Sequence, residues 1–573
     1  MFRNKNVING GWGRALRVRM LCLICCLGLT SCDGKGGGGA GGALLCSLLS
    51  AGVDQQSLTV GFGQGFLDAV KGSLGLLAED EEVVNGAIKE AINNAFEAAS
   101  ISSAISLSSV ESVPKSSGSD DDGVRFLKFD GSLAAGVNFV STVLQNDSVQ
   151  QALNESFGLT ASSPFGFIED SYQVFAAGNF HESTALTLQQ QVKQWAYTQT
   201  DLDTAQTVAG SLENVKDQVV VAVIDTGVDL DHPALVNNLY RQNNEVVGYN
   251  FADDNANPDD DQGHGTHCAG IIAAEDVGDE GMTGVAQKLA PGKIKIMPVK
   301  VLGSDGSGST AAINKGIRYA MAQGADVISM SLGGGVEFSD LQKSNGSESQ
   351  IIRDAVNAGV IVVVAAGNED CPLGGKCEQT SLLVLSKEID EYTVLPCSYN
   401  GTICVGASDP DATLAPYSNY PSSQEAKGVD PNSTDSANKR ISPDIIGPGS
   451  AIYSTFKDGE YRFLDGTSMA TPYIAGLAAL YKLKVPQSLE TSSNAQTNFR
   501  NLLQAAEVEL KEEDSATRSF VGQVDTAYFL KKLREFIDST PAGQAPDLGE
   551  VDEPDSTGAN IEAPNLLSLI CGG

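Results

Sequence analysis

The sequence predicts an α/β protein with a mostly parallel central sheet flanked by helices, preceded by a small α+β region. Two observations lead there. From Gln194 onward short apolar runs alternate with stretches of helical periodicity, and repeated alternation of this kind calls for a parallel sheet, whose strands are joined by crossover helices. At 573 residues the chain is also long enough for two or three folded units with large buried cores.

The predicted strands of the main unit are 219–224, 246–251, 294–301, 327–330, 360–365 and 403–406, with helices at 266–274, 310–323, 350–358 and 468–483. Continuous apolar runs of this length fit strands covered on both faces. Ahead of them, 66–99 is alanine-rich with helical spacing, 114–123 reads as a polar linker, and 124–129 and 166–176 read as strands on either side of a helical pattern at 133–157.

The two ends have a different character. Residues 1–31 read as an export signal, since a basic stretch ending at Arg19 precedes an apolar run and then small residues. The run is too short to cross a bilayer, which takes about 20 apolar residues. Leu29-Thr30-Ser31-Cys32 resembles the lipobox of bacterial lipoproteins, which implies a lipid on Cys32, attachment to a membrane and a place in the cell envelope. Residues 32–65, with glycine dominating 34–42, read as a tether, and 538–573 as an acidic, proline-punctuated tail. The formal charge of −35 makes nucleic acid an improbable partner.

Of the 11 cysteines, Cys22, Cys25 and Cys26 fall within the signal. Export favours disulfides among Cys371, Cys377, Cys397 and Cys404, with three pairings open. Zinc is the weaker reading, because no CxxC spacing is present. Cys46 and Cys571 are either joined to each other or left as free thiols in apolar segments.

Three segments carry chemistry. The strand 219–224 runs into Asp225-Thr226-Gly227-Val228-Asp229, a carboxylate at a strand end placed to hold an imidazole. Gly263-His264-Gly265-Thr266-His267-Cys268-Ala269-Gly270 opens a helix with small residues on both sides of His264, one of four histidines in the chain. Gly466-Thr467-Ser468-Met469-Ala470-Thr471-Pro472 sets a serine at a helix start, where free amides and the positive dipole end can stabilise an oxyanion. Each alone has a bland reading: a turn aspartate, a structural histidine, an N-cap serine.

Together, and in this order, the three segments closely resemble the catalytic signatures of subtilases, the subtilisin-like serine proteases. Val364-Ala365-Ala366-Gly367-Asn368 resembles the family's oxyanion asparagine segment, and Ser329-Met330-Ser331-Leu332-Gly333-Gly334 its substrate-pairing strand. The resemblance covers 194–537 as a catalytic domain with a subtilisin-like three-layer fold. It implies a serine endopeptidase with Ser468 as nucleophile, His264 as general base, Asp225 as its orienting carboxylate and Asn368 in the oxyanion hole. Substrate protein or peptide would lie along Ser331, Leu332 and Gly333, facing Ala365, Ala366 and Gly367, in an apolar primary pocket. No cofactor is required for such chemistry.

The segment 167–174 faintly resembles the last strand of subtilisin propeptides, so 66–190 is expected to act as a propeptide and partner, with processing somewhere in 178–194. Many family members bind calcium just after the His-Pro of the first signature, but that position is Ala234 here. The run from Asp253 to Asp261 resembles a second calcium loop, with Asp253, Asn255, Asn257 and Asp259 as expected ligands. Residues 422–440 look like an inserted surface loop.

Overall fold

The computed structural model describes residues 53–539 apart from 63, 75–80, 99–105, 113–123, 131–146, 158–164, 177–194, 279–280, 338–346, 381–385, 390–391, 400, 423–442, 490–493 and 511–520. The export signal, Cys32, Cys46, the linker, His181, the processing segment, nearly all of the 422–440 insert, Cys571 and the acidic tail beyond 539 lie outside the described residues.

The N-terminal unit is a split βαβ arrangement. Its strands are β1 (Val53–Phe62), β2 (Ser106–Ser112), β3 (Val124–Asp130) and β4 (Phe165–Ala176), and its helices are α1 (Gln64–Leu74), α2 (Glu81–Ala98) and α3 (Asp147–Ser156). Its strands lie in the order β2-β3-β1-β4, all antiparallel. Val84, Ile88, Ala91, Ile92, Ala95 and Phe96 form a buried stripe on α2, packed with Phe66, Leu67 and Val70 of α1 and with Val149 and Leu153 of α3. Burying one such large side chain fully is worth about 2 to 3 kcal/mol, which is what holds these short helices to their sheet.

Strand β1 lies inside 32–65, the stretch read as tether, so the folded unit begins earlier than the sequence suggested. Its alternation is blunted by Gln55, Gln56 and Gly61, and its pairing is supplied by distant strands.

The main unit is built on a nine-stranded sheet. Its strands are β5 (Val219–Asp225), β6 (Tyr249–Asn250), β7 (Ile294–Lys300), β9 (Val327–Met330), β11 (Ile361–Ala365), β13 (Ile403–Ser408), β14 (Ile445–Pro448), β17 (Glu507–Val508) and β18 (Gln523–Val524). They run in the order β17-β18-β14-β13-β11-β9-β5-β7-β6, parallel except for the β17–β18 pair. Interleaved in the chain but outside this sheet are β8 (Ser307–Ser309), β10 (Leu332–Glu337), β12 (Tyr392–Leu395) and the hairpin β15 (Ile452–Phe456) and β16 (Glu460–Leu464).

Successive side chains of a strand point to opposite faces. Accordingly Val219, Val221 and Val223 enter one core with α4 (His264–Ala273), α7 (Thr467–Lys484), α8 (Ala495–Ala505) and α9 (Thr526–Ser539), while Val220, Ala222 and Ile224 enter another with α5 (Thr310–Ala322) and α6 (Ser347–Asn357). This three-layer arrangement is the one expected. The expected strand 246–251 is broken into Glu245–Val246 and β6. At the break Gly248 runs so close to β7 that a Cβ there would lie 2.5 Å from the Pro298 carbonyl oxygen.

Strand β4 joins the two units. Its first half pairs with β1; its last residues pair antiparallel with β10, as Leu332 with Ala176 and Gly333 with Phe175, and with β8, as Ser307 with Phe175 and Gly308 with Val174. The result is one hydrogen-bonded sheet, β12-β10-β4-β1-β3-β2, shared by both units. Glu111 on β2 adds an ion pair with Lys315 on α5.

The cysteine pairing left open by the sequence is Cys371–Cys377 and Cys397–Cys404, with all four residues buried in the second core. Non-reduced peptide mapping is therefore expected to recover these two links, and Cys397→Ser with Cys404→Ser should cost about 2 kcal/mol in stability, as expected for closing so short a loop. Recovery of a Cys371–Cys404 peptide instead would contradict the arrangement.

Candidate active site

The candidate residues lie at the carboxyl ends of the central strands, where parallel sheets place their sites. Asp225 is the last residue of β5, Ser331 follows β9, and Asn368 lies three residues beyond β11. Each strand delivers its residue to the same edge because the crossover connections all return to the opposite edge.

His264 and Asp225 meet through a short contact. The Nδ1 of His264 lies 2.8 Å from Asp225 Oδ1, and both residues are wholly buried. The approach depends on glycine at 265, where a Cβ would come within 2.1 Å of the Gly227 carbonyl oxygen and 3.1 Å of Asp225 Cβ. Thr226 fastens the contact from both sides: its N–H donates to Asp225 Oδ1 at 2.7 Å, and its hydroxyl accepts from Gly265 N–H at 2.8 Å. Burial disfavours the protonated imidazole, but the Asp225 carboxylate outweighs it and holds the His264 pKa well above its ordinary value.

The start of α4 is fixed by Asp260. Its Oδ1 accepts from Gln262 and Gly263 N–H, and its Oδ2 from the N–H and hydroxyl of Thr266. His267, one turn on, does different work. Its Nε2 lies 3.1 Å from the carbonyls of Ile452 and Arg462, pinning the β15–β16 hairpin to α4, and burial pushes its pKa down to about 3. It stays neutral at any working pH and is spent on the fold.

Ser468 lies in the first turn of α7, an entirely buried helix. Its hydroxyl donates to the Ser331 carbonyl at 3.1 Å, while the Ser331 hydroxyl donates to the Ser468 carbonyl at 2.9 Å. Cys268 lies beside both catalytic candidates, its Sγ 4.0 Å from His264 Nδ1 and 3.5 Å from the Ser468 carbonyl oxygen. Across from Ser468, Asn368 Oδ1 accepts from both the N–H and the hydroxyl of Thr467 at 2.9 Å. That fixes the amide plane. The Nδ2 of Asn368 is buried and makes no hydrogen bond among the described residues, which leaves a spare donor next to Thr467 and Ser468.

Substrate-side residues are brought together too. Ala365, Ala366 and Gly367 are buried on the continuation of β11, and Leu332 and Gly333 open β10, where β4 is already paired. Between these walls stands Val394: a Cβ on Gly333 would lie 2.9 Å from its Cγ1, and one on Gly367 3.2 Å from its Cγ2. Sequence reading missed Val394 and Thr467. It also missed Lys300, a buried lysine whose ammonium donates to the carbonyls of Thr226 and Leu302 and to Asp261, bracing the turn after Asp225.

The expected calcium ligands lie in a closed surface loop. Asn250 and Asn255 exchange backbone hydrogen bonds at 2.9 Å, Asp253 Oδ2 accepts from the Asn250 amide, Asn255 Oδ1 from Asn257 N–H and Asp259 Oδ1 from Leu230 N–H. The donor set of Asp253, Asn255, Asn257 and Asp259 is all oxygen, which suits a hard cation, although each of these bonds ties one oxygen to the protein. Among the described residues, the one group of three His, Cys, Asp or Glu whose ligand atoms lie within 4.8 Å of one another is Asp225, His264 and Cys268.

A parallel sheet presenting a serine, an imidazole–carboxylate pair and a spare amide donor defines a serine hydrolase. Comparison with known proteins makes this specific. A sequence model of the subtilase family matches residues 216–526. Thermitase of Thermoactinomyces vulgaris is 36% identical over 260 residues, 45% of this chain and 73% of its own. The major intracellular serine protease of Bacillus subtilis (strain 168) is 36% identical over 290 residues, 50% of this chain and 75% of its own. Among solved structures, a cold adapted subtilisin-like serine proteinase is 27% identical with a TM-score of 0.38, covering 54% of this chain and 88% of its own. The chain belongs to the subtilase family, and it is a subtilisin-like serine endopeptidase acting on proteins or peptides.

With His264 as the group that takes the nucleophile's proton, its raised pKa would set the pH response. An imidazole must be neutral to take a proton, so activity is lost as pH falls through the folded-state value, and that value lies above the ordinary 6.5. The acidic limb of kcat/KM is expected to have its midpoint above 6.5, and Asp225→Asn should move it down as well as lowering kcat. An unshifted limb in Asp225→Asn would contradict the electrostatic coupling.

Proposed function

We propose that Asp225, His264 and Ser468 form the catalytic triad of this endopeptidase, with Asn368 and the Ser468 N–H as its oxyanion hole. The observation that carries the reading is the buried 2.8 Å pairing of His264 with Asp225, set on the same sheet edge as a serine at a helix start. Ser468 Oγ attacks the scissile carbonyl carbon as His264 Nε2 takes its proton. Asp225 holds the Nδ1–H and stabilises the imidazolium. Collapse of the tetrahedral intermediate expels the amine with the proton from His264, and water repeats the sequence on the acyl-enzyme.

Substrate adds as a strand along β10, so main-chain bonds give affinity and side-chain pockets give preference. Val394, standing between Gly333 and Gly367, makes the primary pocket apolar and short, suited to small P1 residues.

The N-terminal unit is read as a propeptide whose β4 fills the same cleft in a substrate-like manner. Ala176, the last residue of β4, pairs with Leu332, the neighbour of Ser331, whose carbonyl takes the Ser468 hydroxyl. Synthesis as an exported precursor anchored at the cell envelope through a lipid on Cys32 completes this reading. Cutting inside 178–194 would then release the catalytic unit. A structural calcium ion on Asp253, Asn255, Asn257 and Asp259 would stiffen the loop leading into Asp260 and α4. If it does, chelation lowers the Tm; an unchanged Tm in chelator removes the ion from the reading.

Ser468→Ala tests the core of the proposal. The variant should fold, show no casein hydrolysis and keep its N-terminal unit attached, while the wild type yields a new N-terminus at or just after Gly178. Activity within about tenfold of wild type would overturn the assignment of Ser468.

A further inference from the structure

Around Asn368 four groups converge on one residue of a separate loop, three of them on its side chain and one on its backbone N–H. Asn419 is wholly buried between β13 and β14. Its N–H donates to the Gly367 carbonyl at 3.1 Å, and its side-chain amide donates to the Ala366 carbonyl at 2.9 Å and to Glu369 Oε2 at 2.6 Å. Its Oδ1 accepts from Cys371 N–H at 2.9 Å. The contacts therefore fall on 366, 367, 369 and 371, on both sides of Asn368 and never on Asn368 itself. Only a side-chain amide of this length offers both a two-proton donor and an acceptor for such a set.

The turn needs that support. Gly367 has φ of +97°, outside the range that L side chains adopt readily, and a Cβ there would lie 2.5 Å from Asn419 Nδ2, so the turn is packed directly on this amide. Thr467 fixes the far end of the Asn368 side chain, and its hydroxyl also accepts from Gly367 N–H at 3.2 Å, so it holds the turn at that one amide while Asn419 holds it at 366, 367, 369 and 371. Asn419 is in turn held in place: Ser418 Oγ accepts from Ala407 N–H on β13 and donates to the Asn419 carbonyl.

We propose that Asn419 is a positioning residue for the oxyanion hole, holding the 366–371 turn so that Asn368 Nδ2 stays aimed at the charge that develops in the transition state. This rests on the reading of Asn368 given above. A donor placed in advance costs no reorganisation during reaction, and one that must be re-aimed loses most of its benefit. Misplacement by about 1 Å can cost on the order of 100-fold. The effect should fall on kcat, since the interaction is made with the transition state and not with the bound substrate.

The test is a double-mutant cycle on the processed enzyme with a chromogenic peptide. Asn368→Ala is expected to lower kcat by about 100- to 1,000-fold, and Asn419→Ala by about 10- to 100-fold with KM within about threefold. The double variant should be no slower than Asn368→Ala alone, because with the amide gone there is nothing left to position. Asn419→Asp, nearly the same shape, guards against a folding failure. It loses the donor and should lose kcat, and adding Glu369→Gln, which supplies a donor from the other side, should restore part of it. Fully multiplicative losses in the cycle, or wild-type kcat in Asn419→Ala, would overturn the role of Asn419 while leaving that of Asn368 intact. Wild-type kcat in Asn368→Ala would remove the oxyanion reading and this inference with it.

Discussion

A carboxylate and an imidazole held together out of water are the constraint on which the rest of the molecule depends. Burying Asp225 without partners would cost several kcal/mol, so its Oδ1 receives two, Thr226 N–H and the His264 ring, while the Lys300 ammonium braces the next residue through the Thr226 carbonyl. Geometry then dictates sequence. Gly265 leaves room for the Gly227 carbonyl, Asp260 ties down the first turn of α4, and His267 fixes the hairpin that closes over it.

The same economy shapes the serine side. Thr467 precedes the nucleophile and also fixes the Asn368 amide, while Ser331 exchanges hydrogen bonds with Ser468 across the gap. Two helices and three strand ends thus meet with few free rotamers, and the two cores on either side of the sheet keep them from drifting.

What could be read in the sequence follows from where the information is stored. Strands 219–224, 327–330 and 360–365 were legible because sheet burial demands unbroken apolar runs, and Asp225, His264, Ser468 and Asn368 could be named as candidates because each lies in a short segment that resembles a family signature. Val394, Thr467, Lys300 and Asn419 were not, because their importance comes from contacts with residues tens of positions away. Strand β1 was taken as tether for a similar reason: its partners β3 and β4 are remote, and its own pattern is blunt. The disulfide pairing was open in principle, since four cysteines in sequence carry no order of contact.

Strand β4 is paired with strands of both units at once, and this bears on concentration. While the chain is continuous the strand is a ligand already delivered to its cleft, at the millimolar effective concentration typical of short connections, so even weak contacts suffice to fill it. A single cut after β4 would convert that strand into part of a separate molecule, held among the described residues by the pairs with β8 and β10 and by contacts such as Glu111 with Lys315. Occupancy then falls with dilution. Under the proposed processing the fold would in this way contain a timer whose setting is the volume into which the severed unit can diffuse, short in open solution and long on a crowded surface.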